Sequence, residues 1–475
     1  MSILQPTLLT LEATARPLSY RENLIALLGG ELDFHDADSS YASHNFHAFP
    51  AKFPPQLPRK FIAALTQPGE KVLDPMMGSG TTLLEARLAG RAAFGCDIDP
   101  LALMLTQVKL TAMEKRTVSD CHYHLATRAQ AWISQNPDQV RQSLDQRWDA
   151  ATRKFVDYWF AAETQLELMA LLHEIEQITD PGLQAFFKLA FSATIITKSG
   201  GVSLAFDLAH TRPHRVKVVR SASGEILMGA DVLATLSESQ HRYHVKTLRS
   251  PLEEFNKRVQ ANLKGLTELH DLDAPYTLAR GNAQALPLPA EAIDLIVTSP
   301  PYASNAIDYM RAHKFSLVWL GHPINHLGEK RKTYIGGENI SDFAFVNLPP
   351  HAAQIVDEIR RLDAPKGAAI HRYYSEMTHA LREMYRVLKP GKAALVVVGT
   401  SVMRGIDTQT QHCLAEIGQT LGFEVPAIGV RRLDRDRRMM PAGFKVDRQS
   451  QIQQRMHEEY VIGLYKPDIT AKETR

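Results

Sequence analysis

The stretch Asp74-Pro75-Met76-Met77-Gly78-Ser79-Gly80-Thr81-Thr82 limits the fold of this chain more than any other segment. It closes the apolar run Lys71-Val72-Leu73-Asp74, which reads as a short buried strand, and it leads into a helix predicted from about Thr81 to Ala89 and stopped by Gly90. Glycines at such a junction let the backbone turn sharply and come close to a ligand. A dinucleotide fingerprint would need a third glycine three residues beyond Gly80, where Leu83 stands, and no Gly-Lys-Ser/Thr of a P-loop follows. A binding turn of another kind is expected.

Ala92 to Cys96 forms a second apolar strand ending at Asp97, and Pro100 opens a helix through Leu103, Leu105 and Val108. This β-α-β-α alternation predicts a parallel sheet. It lapses over residues 114–275, where Leu168, Leu171, Leu172 and Ile175 fall at helical spacing. There Asp180-Pro181 and Ser250-Pro251-Leu252-Glu253 read as helix starts, the second with the spacing of a capping box. Strands resume at Tyr276 to Arg280 and at Ile293 to Val297, a run apolar enough to be covered on both faces. A helix striped by Met377, Leu381, Met384 and Leu388 ends at Lys389-Pro390-Gly391, and strands follow at Ala393 to Val398 and Tyr460 to Tyr465.

The expected architecture is α/β, a Rossmann-like and mostly parallel sheet with a largely helical insertion. Residues 1–43 form an N-terminal extension, 44–113 and 276–466 the sheet domain, 114–275 the insertion, and 467–475 a polar tail. The 475 residues suffice for both units, and 44% hydrophobic with 22% charged residues is a globular composition. A net charge of +2 gives little overall attraction to phosphate, so any nucleic-acid affinity must come from local patches. Arg431, Arg432, Arg435, Arg437 and Arg438 form one, and Arg212, Arg215, Lys217 and Arg220 another; each is also readable as a solvated face. Cys96, Cys121 and Cys413 lie far apart, which excludes a disulfide framework and a zinc ribbon, and no metal is expected. No leader-like start or membrane-length apolar run is present, so a cytoplasmic protein with no membrane partner is expected.

Asp97, at the end of the second strand, stands where a carboxylate accepts hydrogen bonds from both hydroxyls of a cofactor ribose, although such an aspartate is also ordinary turn chemistry. Together, Asp74 to Thr82 and Gly95-Cys96-Asp97-Ile98-Asp99-Pro100 resemble the first two motifs of the amino-methylating (N4-cytosine/N6-adenine) DNA methyltransferases, with Met76 where that family usually has phenylalanine. The resemblance implies a class I methyltransferase fold and S-adenosyl-L-methionine as cofactor, held by Asp74, Pro75, Gly78, Gly80, Thr81, Thr82 and Asp97. His47-Ala48-Phe49-Pro50-Ala51-Lys52-Phe53 resembles the family segment that closes over the methionine end of the cofactor, with Lys52 and Phe53 as contacts. Asn282 matches the position that meets the adenine ring, and an asparagine after Gly281 also suits a turn.

Thr298-Ser299-Pro300-Pro301-Tyr302 follows a strand directly, at the end of the sheet where α/β proteins bind ligands. An exocyclic amine on a base is a weak nucleophile because its lone pair is delocalised into the ring. Acceptors aimed at its hydrogens, the Ser299 hydroxyl and the Pro300 carbonyl, would favour a pyramidal nitrogen, with Pro301 fixing the loop and Tyr302 stacking on an extruded base. Serine before the two prolines resembles the N4-cytosine group; aspartate or asparagine is commoner in the N6-adenine group. The motif order resembles the alpha arrangement of the superfamily. Double-stranded DNA is the implied substrate and a cognate restriction endonuclease a candidate partner. An RNA base methyltransferase and an inert nucleic-acid-binding subunit are the competing readings. Residues 114–275 are the first choice for target recognition and 303–370 the second, with Asn305, Asp308, Tyr309, Arg311, His313 and Lys314 near the tetrad.

Overall fold

A computed structural model describes residues 16–50, 52–197, 200–206, 208, 213–266, 273–303, 308–337, 340, 343–433 and 458–468. Seven strands form the central sheet: β1 (Lys71–Asp74), β2 (Ala92–Asp97), β3 (Tyr276–Arg280), β4 (Ile293–Thr298), β5 (Leu388–Gly399), β6 (Glu424–Arg432) and β7 (Glu458–Tyr465). Their spatial order is β6-β7-β5-β4-β1-β2-β3. β1 to β5 are parallel, whereas β7 runs antiparallel to both its neighbours, β5 and β6. This is the class I methyltransferase fold.

Burial explains the sheet's place between two layers. Val72, Leu295, Val297, Leu395 and Val397 enter one apolar cluster, while their alternating neighbours Leu73, Ile296, Val396 and Val398 enter another. Period-two alternation with both faces apolar is what a strand covered on two sides requires. Helices Pro350–Leu362, Ala364–Val387 and Thr410–Thr420 cover one face. Helices Gln56–Leu65, Thr81–Leu88 and Pro100–Leu110 contribute to the cluster on the other.

Residues 115–195 fold into five successive helices, Lys115–Gln135, Pro137–Arg147, Ala150–Trp159, Ala162–Glu176 and Pro181–Ile195. Their core residues Leu168, Leu171, Leu172, Ile175 and Phe191 belong to the same apolar cluster as Val72 and Leu295 of the sheet. Asp180 caps its helix as expected, accepting from the Leu183 amide at 2.7 Å. The Ser250 cap forms only half of a box: its hydroxyl accepts from the Glu253 amide at 3.3 Å, but donates to Glu167 of a neighbouring helix, which also takes the Leu252 amide. Tertiary packing has supplied a different carboxylate. The stretch is not wholly helical, because Val218–Arg220, Ile226–Met228 and Val245–Thr247 pair as a separate three-stranded sheet.

Candidate functional site

Parallel register fixes where the chemistry lies. Asp74 pairs with Gly95, Asp97 with Arg280 and Thr298 with Val396, so the carboxyl ends of β1 to β4 finish along one edge of the sheet. The chain order reverses between β1 and β4, which are neighbours, and such a switch point leaves a crevice for a ligand. The loop after β1 and the loop after β4 flank it.

A cleft of about 890 Å³, partly open to solvent, occupies this edge. Its lining gathers Lys52, Phe53, Asp74, Pro75, Gly78, Thr81, Asp97, Asn282, Ser299 and Pro301, ten residues singled out in the sequence. Four others are not part of the lining. Thr82 is fully buried and donates its hydroxyl to the Val297 carbonyl at 3.1 Å, joining the helix after β1 to β4. Gly80 has φ +70° and faces Thr106, Pro300 is buried, and Tyr302 lies half-buried with its hydroxyl turned to Glu459.

The two loops are tied together from beneath. Thr298 donates to Asp74 Oδ1 at 2.7 Å, and the Met76 amide reaches the same oxygen at 3.2 Å. Burial raises the Asp74 carboxyl to about 7 despite these donors. A carboxyl lifted above its unfolded value favours the fold when protonated, so its contribution falls as pH rises from about 4 to about 7. Asp74→Asn keeps the shared acceptor and removes the charge. Its melting temperature is expected to exceed that of the native chain at pH 8, with the gap closing towards pH 5; a gap that ignores pH would refute this. The comparison cancels the opposing contribution of His44 and His47, held neutral by burial at about 2 and about 3, which both chains share.

Asp97 accepts from the Gly78 amide at 2.8 Å and from the Asp99 amide at 2.9 Å, one on each oxygen. A carboxylate offers about four acceptor sites, so with the Ile98 amide also bonding it acceptor capacity still remains for a ligand hydroxyl. Burial first, and then the nearby Asp99 charge, raise the Asp97 carboxyl to about 6. Asn282 Oδ1 accepts from the Gln284 amide at 3.0 Å in a turn, and the residue lines the cleft.

Gly80 shows how closely the turn is built. A Cβ there would lie 2.6 Å from Thr106 Oγ1, in a left-handed backbone that disfavours any side chain. Gly80→Ala is expected to cost about 1–2 kcal/mol for the dihedral and about 1–3 for the clash, read as a lower urea midpoint. An unchanged midpoint would refute it.

The segment before Lys52 covers the turn. Phe49 sits 3.2 Å from where a Gly78 Cβ would be and stacks on Tyr309 at 5.3 Å between ring centres. Lys52 donates to the His44 carbonyl at 3.0 Å, holding the segment's bend. The cleft lining also includes Ile98 and Asp99, which lie beside Asp97 in the same motif, and Thr333, Tyr334 and Ile335, for which the sequence carries no site expectation. Tyr334 donates to Asp99 Oδ2 at 3.0 Å, the oxygen that also meets His313 Nδ1 at 2.6 Å. The Gly336 amide is anchored on Glu376 at 2.8 Å. Nothing local in the sequence marks residues 333–335, since their role arises from a loop folded back over the cleft.

Residues 34–107 match the N6/N4 methyltransferase family model, described as DNA methylase. Type II methyltransferase M.MvaI from Kocuria varians is 24% identical over 411 residues, covering 81% of this chain and 83% of that protein. The chain is thus similar to amino-methylating DNA methyltransferases, over the turn segment by the family model and over most of its length by this relative. Type II methyltransferase M.BsoBI from Geobacillus stearothermophilus is 21% identical over 82% of this chain and 80% of its own. M.MjaII from Methanocaldococcus jannaschii is 39% identical over 67 residues, 14% of this methyltransferase and 13% of its own length.

The basic stretches of this methyltransferase differ from a simple phosphate track. Arg431 is paired with Glu459, and its side chain is 12% exposed. Arg215 lies 4.9 Å from the Tyr158 ring centre and donates to the Tyr158 carbonyl at 2.7 Å. Arg212, Asn305, Arg435, Arg437 and Arg438 lie outside the described residues. Arg311 pairs with Asp308 at 2.8 Å, and Lys314 stands over the Phe155 ring. Among the described residues no cluster of three or more His, Cys, Asp or Glu is arranged to hold a metal, and no helix is long and apolar enough to cross a membrane.

Proposed function

We propose that this chain methylates DNA site-specifically, moving a methyl group from S-adenosyl-L-methionine to the exocyclic amino nitrogen of a flipped base, N4 of cytosine. The observation that carries the reading is the shared cleft: Asp97 after β2 and Ser299-Pro301 after β4 line one space, under loops cross-tied by Thr298 and Asp74. The Type II relatives support DNA as the polymer and a restriction-modification setting.

The lining suits that cofactor. Asp97 keeps acceptor capacity for a ribose hydroxyl beside its backbone donors, and Asn282, Lys52 and Phe53, which the resemblance assigns to the adenine and methionine ends, line the same cleft. When bound, S-adenosyl-L-methionine supplies an electrophilic methyl group on a positively charged sulfur. Ser299 accepts a hydrogen bond from the target amine, and the Pro300 carbonyl offers the second acceptor, which restores lone-pair density at nitrogen as the transition state forms. Pro301 removes a backbone donor and stiffens the loop, so the acceptors are held before substrate arrives. Tyr302 offers a ring face against the extruded base; stacking of about 1–3 kcal/mol is on the scale of unstacking one nucleotide. Serine ahead of Pro300 supports cytosine over adenine.

Incubation with methyl-labelled cofactor and separate in vitro-amplified DNA and RNA, followed by digestion to nucleosides, tests polymer and base together. N4-methylcytosine from DNA is the expected product. N6-methyladenine would overturn the base, label in RNA alone the polymer, and no label in either the enzyme itself.

A further inference from the structure

The half-buried Tyr302 ring packs at the margin of the apolar cluster around Ile296 and Val396, and its hydroxyl donates to Glu459 Oε1 at 2.9 Å. The other oxygen of Glu459 receives the Arg431 guanidinium. Arg431 and Glu459 face each other directly in the β6–β7 register, and both side chains are 12% exposed. A phenol, a carboxylate and a guanidinium therefore form a chain from the loop after β4 to the antiparallel edge of the sheet. We propose that Glu459 is a positioning residue for the methyl transfer described above, fixing the ring of Tyr302 as a platform for the target base.

A ring held only by its apolar margin keeps rotamer freedom, and ordering it at each encounter with a base costs entropy; a hydrogen bond at the far end of the ring removes that freedom in advance. Burial, and then the Glu459 charge, push the Tyr302 phenol well above its ordinary range, so it remains a neutral donor to the carboxylate. Finally, a buried ion pair is poorly explained by stability alone, because desolvation opposes the attraction and an apolar cross-strand pair would serve as well. Glu459 spends one oxygen on its strand partner and the other on the tetrad tyrosine.

This proposal rests on the DNA-methylating reading, and the test separates the two. Tyr302→Phe, Glu459→Ala and the double variant are assayed with labelled S-adenosyl-L-methionine on in vitro-amplified genomic DNA, which is unmodified and varied in sequence. Each single change is expected to lower kcat roughly tenfold or more, the scale of one lost charge-assisted hydrogen bond, with the KM for cofactor unchanged. The double variant should be no slower than the slower single, because both changes break the same bond. Effects that multiply, a rise confined to the cofactor KM, or wild-type kcat in either single variant would overturn the assignment while leaving the function intact. Absence of transfer by the native chain would overturn the functional reading and this proposal with it. Tyr302→Phe leaves the Arg431–Glu459 pair untouched but also removes the phenol's bond with Ser299, so Glu459→Leu, which fills the space without an acceptor, decides the matter if Glu459→Ala does not fold: wild-type kcat there would overturn the assignment.

Discussion

Ser299→Ala is expected to lower kcat for DNA methylation by about 100- to 1,000-fold while leaving cofactor affinity within about twofold of native, the range seen when one preorganised transition-state partner is deleted. Ser299 lines the cleft and its hydroxyl meets the Tyr302 phenol within the same loop, whereas the bonds that hold the two loops together come from Thr298 and Thr82. Removing it should therefore spare the fold and the cofactor site. Single-turnover transfer of labelled methyl, paired with calorimetric cofactor titration, separates the two effects. Equal losses in rate and affinity would show that Ser299 only shapes the cleft.

Asp97→Ala is expected to weaken S-adenosyl-L-methionine about 100-fold or more, since both ribose hydroxyls lose a charged acceptor and the Gly78 and Asp99 amides lose theirs. The native carboxyl titrates at about 6, and the ionised form is the one that accepts from a diol on either oxygen. In an Asp74→Asn background, which removes the neighbouring carboxyl raised to about 7 in the same cleft, cofactor affinity should accordingly be flat above pH 7 and fall as pH drops through 6, by up to about tenfold per unit for one proton. Asp97→Asn should abolish that slope. An Asp97→Ala chain that binds cofactor at native strength, or an Asp74→Asn chain whose affinity improves on acidification, would remove Asp97 from the ribose site.

The sequence made the sheet edge readable because its strands are short apolar runs ending in polar residues with chemical work to do. Lys71-Val72-Leu73 stops at Asp74 and Ile293 to Val297 stops at Thr298-Ser299, and in a parallel sheet such endings must lie side by side. The helix predicted from Thr81 to about Ala89 forms as Thr81–Leu88. Harder to read were roles that depend on partners far along the chain. Gly80 and Thr82 sit in the cofactor motif, yet their measurable contacts are with Thr106 and Val297. Arg431 belongs to a run of arginines, but lies on strand β6, which has no clean alternation and is identified by its pairing with β7. Tyr334 joins the cleft across 235 positions of sequence to Asp99, a separation at which local patterning is silent.

The position of β7 carries a consequence for synthesis. It is the last strand of the central sheet to be made but is flanked on both sides, by β5 and β6, so until Tyr465 has cleared the ribosome those two strands have no partner between them. Glu459 arrives on that same strand. On the proposed reading the nascent chain acquires the anchor of its base platform in the last step of sheet closure, and a polypeptide cut short before residue 458 would carry the glycine turn after β1 without the Glu459 partner of Tyr302.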